Sequence, residues 1–87
     1  MDTPKGLIET LQTGQDELMK KYLELYRLSP GIDSVNNFNY EIVELSANTI
    51  QRAYTDGLDD MPGFIRVIQY CTIMTAYHFK EISGFNL

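Results

Sequence analysis

Eighty-seven residues, 44% of them hydrophobic and seven basic against twelve acidic, make one domain's worth of chain (1–87) with a net charge of −5. That balance disfavours a nucleic-acid backbone or an anionic bilayer as partner, and the apolar fraction is too high for a disordered chain. A chain this short buries only about 60 to 65% of its unfolded surface, so it either packs well or borrows surface from a partner.

The bases are scattered, with Lys20 and Lys21 the one adjacent pair, and the acids lack the dense rows that DNA mimicry needs. The single cysteine, Cys71, forms no internal disulfide and sits on an apolar stripe, which points to a small buried hydrophobe in a reducing compartment. The opening MDTPKG has neither the basic region nor the apolar run of a secretion signal. Arg66, Gln69, His78 and Lys80 interrupt the best candidate for a membrane span. The expectation is a cytoplasmic protein with no membrane or nucleic-acid partner.

In chain order, Thr3 caps a first helix over residues 4–28 and Pro4 suits its first position. Ile8, Leu11, Leu18, Tyr22 and Leu25 recur at three- and four-residue spacing, Gln15 fills one seam position, and Leu7, Met19 and Tyr26 widen the stripe. Gly14 is the weak point. Glycine inside a helix costs about 1 kcal/mol relative to alanine, and Thr13 with Asp16 could start a fresh turn, so a kink or break is expected there. Ser29-Pro30-Gly31 ends the helix, and residues 32–37 read as a loop whose Ile32 and Val35 fold back over the bundle end.

Asn39 is the expected cap of a second helix over 39–56, with Phe38 and Val43 forming a hydrophobic staple. Ile42, Val43, Ser46, Ala47, Ile50, Ala53 and Tyr54 then share one side, and Glu41, Glu44, Asn48, Gln51 and Thr55 the other. Small residues on the inner side invite close approach by Phe64 or Phe79. Gly57 closes this helix, and Asp59 or Asp60 caps a third over 61–83, which Gly84 ends. The short connection makes the second and third helices an antiparallel hairpin. Phe85-Asn86-Leu87 is an apolar tail that packs back or serves as a handle.

The third helix is unusual. Phe64, Ile68, Cys71, Thr75, Phe79 and Ile82 form a core stripe, yet Tyr70, Ile73, Met74 and Tyr77 form a second apolar sector. Tyrosine, methionine and isoleucine together are the composition of a protein-binding hot spot. The alternative is that the first helix covers that sector.

Chemical motifs are weak. Glu41 and Glu44 share a helix face, as in all-α nucleotide pyrophosphatases that hold magnesium, but that chemistry needs further carboxylates from a facing element. Asp56, Asp59 and Asp60 lack calcium-loop spacing and are explained by capping. His78 and Glu81 have no local nucleophile, and Cys71 has no activating cation or helix N-terminus. No catalytic residue, cofactor or metal site is expected.

The sequence therefore predicts an all-α, small three-helix bundle: a long first helix with Gly14 as its weak point, plus an antiparallel helical hairpin. The expected function is a non-enzymatic protein–protein interaction module, a small acidic regulator, inhibitor or adaptor. It self-associates, as a homodimer, or docks on a larger protein. Its partner-binding residues are Tyr70, Ile73, Met74 and Tyr77. The rival reading is an oligomeric, metal-dependent nucleotide hydrolase in which Glu41 and Glu44 meet acids from a second chain.

Overall fold

A computed structural model describes residues 4–84, and within them the chain forms three helices: α1 (Pro4–Leu28), α2 (Ile32–Thr55) and α3 (Met61–Ser83). Each pair of helices is in contact, α1 and α2 running antiparallel and α3 returning alongside α1. The all-α three-helix bundle stands as expected. The Thr3 cap and the Phe85-Asn86-Leu87 tail lie outside the described residues.

Two apolar clusters fill the interior. At one end Leu7, Leu11, Ala53, Phe64 and Ile68 are buried together, with Leu58, Met61 and Cys71 packed against them. At the other end Met19, Tyr22, Val35, Phe38, Ile42 and Phe79 form an aromatic-rich cluster. Phe38 stacks on Phe79 at 4.1 Å between centroids, while Tyr22 meets Phe38 edge-on at 5.7 Å. The edge-to-face geometry of Tyr22 on Phe38 is one that aromatic quadrupoles favour.

The second helix corrects the sequence reading most. It starts at Ile32, not Asn39, so residues 32–37 are helix and not loop. Ser29-Pro30-Gly31 alone makes the connection, with Gly31 extended at the N-terminus and Asp33 placed where the helix dipole favours an acid. Phe38 is not a staple residue outside the helix but a fully buried core residue, and Asn39 is exposed. The buried stripe runs Val35, Phe38, Ile42, Ser46, Thr49 and Ala53. Because Val35 and Phe38 set its phase, Val43, Ala47 and Tyr54 are rotated out of the core and are exposed. Phe64 shares a cluster with Ala53 as expected, whereas Phe79 lies against Phe38 and not against the small residues.

Helix α1 runs unbroken through Gly14. The glycine serves helix packing: a Cβ there would lie 2.8 Å from Leu45 Cδ2 of α2, closer than carbon atoms pack. Its buried stripe is Leu7, Leu11, Gln15, Met19 and Tyr22, so Ile8 is only half-buried and Leu25 is exposed. Ile82 of α3 is likewise exposed, although the periodicity puts it on the core stripe.

The ends follow capping rules closely. At the close of α2, Leu58 N–H donates to Ala53 O and Gly57 N–H to Tyr54 O, both at 3.1 Å, with Gly57 at φ 77°. These two bonds are a Schellman motif, and only glycine adopts that φ without penalty. Asp60 Oδ1 accepts from Gly63 N–H at 3.1 Å and caps α3, and Gly84 ends it in the left-handed region.

Candidate functional site

Between the two apolar clusters lies a polar layer that sequence reasoning did not assemble. Gln15, on α1, is 1% exposed. Its Oε1 accepts from the Thr75 hydroxyl at 2.9 Å, and its amide nitrogen donates to Thr72 Oγ1 at 3.5 Å. Thr72 Oγ1 in turn lies 2.6 Å from Ser46 Oγ of α2. One residue from α1, one from α2 and two from α3 thus meet in a single network. Its signal in the sequence was Gln15 in a seam position with Ser46 and Thr75 on core stripes, but only the pairing of helices brings them to one level.

This layer is structural in chemistry. The hydroxyls of Ser46, Thr72 and Thr75 also lie within hydrogen-bond reach of the carbonyl one turn earlier on their own helix, at 2.9, 2.8 and 2.9 Å. With one proton apiece, Thr75 shares its proton between Gln15 Oε1 and Cys71 O, and one of Ser46 and Thr72 donates to the other while the second donates to its own carbonyl. A hydroxyl so engaged has no base to activate it, and the titratable His78 and Glu81 lie exposed on α3. Buried and internally satisfied polar groups fix one packing register among alternatives.

The candidate site is the opposite side of α3. Since Phe64, Ile68 and Phe79 point inward, residues about half a turn away must point outward. Tyr70, Ile73, Met74 and Tyr77 are accordingly 64, 55, 48 and 58% exposed. Helix α1 does not cover them: it meets α3 through Gln15 on Thr72 and Thr75 and through Tyr26 on Phe79. The four side chains form one stripe at i, i+3, i+4 and i+7. Ile73 also borders an apolar groove of about 400 Å³ between α2 and α3, lined by Val43, Ala47 and Ile50. Tyr70 and Met74 border a smaller groove of about 340 Å³ toward Gln12 and Asp16 of α1. The exposed apolar surface therefore continues from α3 onto α2.

The carboxylates of the rival reading sit elsewhere. Glu41 and Glu44 line a groove of about 460 Å³ between α1 and α2 together with Glu17, Lys21 and Asn48. Lys21 Nζ lies 3.7 Å from Glu41 Oε2 and 5.1 Å from the Tyr22 ring centroid. A hydrogen bond to the Glu41 carboxylate, burial, and the carboxylate's charge, in that order, push the Tyr22 pKa up to about 12. Among the described residues no three of His, Cys, Asp and Glu converge as metal ligands would. Cys71 is half-buried, and Asp60 is the capping aspartate. Among the described residues no helix is long and apolar enough to cross a membrane.

No protein-family model matches the chain, and neither the curated proteins nor the solved structures contain a match.

Proposed function

We propose that the protein is a non-enzymatic interaction module of the cytoplasm, a small acidic regulator, inhibitor or adaptor whose docking surface is the outer face of α3. The observation that carries this reading is the exposure of Tyr70, Ile73, Met74 and Tyr77 on a helix whose other face is already buried. Large apolar side chains grouped on one face lower the free energy of a complex by leaving water there; tyrosine buries a large ring with few rotatable bonds, and the flexible methionine fits an irregular partner surface. Affinity capture with the wild-type chain and with Ile73→Glu as paired baits tests it. A protein retained by the first and lost with the second supports the reading, and identical retention by both contradicts it.

The metal-dependent hydrolase remains the second reading because Glu17, Glu41 and Glu44 line one groove. Lys21 in the same groove neutralises part of the charge a divalent cation would need. Magnesium titration by calorimetry, with a nucleotide hydrolysis screen on wild type and Glu44→Gln, decides it. Turnover that disappears in the variant would replace the interaction reading.

A further inference from the structure

We infer that the occupant of the α3 face is a second copy of this chain, paired antiparallel about a two-fold axis that passes between Ile73 and Met74. The inference rests on the interaction reading above and names its partner. A two-fold interface is self-complementary: each residue before the axis must suit the residue equally far beyond it. The α3 stripe has that symmetry. Tyr70 stands three residues before Ile73 and Tyr77 three residues after Met74, while Arg66 stands four before Tyr70 and Glu81 four after Tyr77. All six side chains are exposed. In the pair, Ile73 and Met74 meet their own counterparts at the axis, each Tyr70 lies beside Tyr77 of the second copy, and Arg66 at each end meets Glu81 of the second copy.

Charge supports this occupant. Each chain carries −5, so two copies repel at long range and any attraction must be local. The opposite charges of Arg66 and Glu81 at mirrored positions supply it twice per pair. Glu81 also lies in the last turn of α3, where its own helix dipole disfavours a carboxylate. Antiparallel pairing sets it beside the N-terminal part of the second copy's α3, where the dipole favours one.

Sedimentation equilibrium on wild type, Arg66→Glu, Glu81→Arg, the double exchange and Ile73→Glu tests the pairing, with circular dichroism confirming that each variant remains helical. The expected result is a wild-type dimer, dissociation constants weakened roughly ten-fold by either single reversal, and recovery to within about three-fold of wild type in the double exchange. A wild-type chain that stays monomeric at about 1 mM overturns the pairing but leaves docking on another protein standing. A dimer that either single reversal leaves unchanged, or that the double exchange fails to restore, overturns this register. A dimer indifferent to Ile73→Glu overturns the pairing and the α3 docking surface together.

Discussion

Ser46 Oγ and Thr72 Oγ1 lie 2.6 Å apart, so α2 and α3 are joined at mid-length by a hydroxyl–hydroxyl hydrogen bond that Gln15 of α1 extends. Each hydroxyl also has a carbonyl on its own helix, Ile42 O for Ser46 and Ile68 O for Thr72. Neither is therefore orphaned when the other is removed. A double-mutant cycle of Ser46→Ala and Thr72→Val, followed by urea unfolding, should give a coupling of only about 0.5 to 1 kcal/mol. Gln15→Ala leaves Thr72 and Thr75 the same kind of fallback, on Ile68 O and Cys71 O, so its cost comes from the space it opens and should be about 2 kcal/mol.

Ile73 and Ile68 stand on opposite faces of α3, 55% and 1% exposed. Ile73→Glu should shift the melting temperature of dilute protein by no more than a few degrees, because the new carboxylate stays in water. Ile68→Glu should leave no cooperative transition, because it buries an unpaired charge. Thermal scans by circular dichroism at low concentration make the comparison.

Tyr22 should ionise well above the ordinary tyrosine value. Its folded-state pKa of about 12 stands above the ordinary 10.0, so the folded state resists losing that proton. The resulting stabilisation is fully present below pH 10, and it is lost as pH rises through about 12. Tyrosinate absorbance should show a late step near pH 12, coincident with loss of helix, and Glu41→Gln should move that step toward 10.

Gly57 at φ 77° closes α2, and an alanine there would be held in the left-handed region. Gly57→Ala should cost about 1 to 2 kcal/mol in urea unfolding. At Gly14 the outcome depends on Leu45. Alanine gains about 1 kcal/mol of helix propensity, but its Cβ would lie 2.8 Å from the Leu45 side chain. Gly14→Ala should thus be close to neutral in wild type and stabilise by about 1 kcal/mol in a Leu45→Ala background, which chemical denaturation of the four proteins would resolve.

Helix number, the ends of α1 and α3, the capping role of Gly57, and an aspartate cap on α3 at either Asp59 or Asp60 were legible in the residues; the structure selects Asp60. They depend on short-range chemistry: a proline, a glycine or a carboxylate acts within one turn of itself. The start of α2 was not legible, because polar Asp33, Ser34, Asn36 and Asn37 mask Val35 and Phe38, whose role as core appears only when Tyr22 and Phe79 arrive from the other helices. That misplaced start rotated the expected stripe and put Val43 and Tyr54 inside. Gly14 was misread for a related reason, since propensity registers its cost within α1 but not the approach of Leu45. For α3 the sequence defined the second apolar sector but left two covers for it. The packing of α1 against Thr72, Thr75 and Phe79 removes one of them.

Sedimentation of the wild-type chain and of Ile73→Glu over a wide range of concentration is the most direct measurement of what the α3 face does. The wild-type mass should rise above the 10.0 kDa of one chain while the variant remains at that value with an unchanged helical spectrum. Equal masses for the two proteins, both above one chain, would contradict the assignment of Tyr70, Ile73, Met74 and Tyr77 as the contact surface.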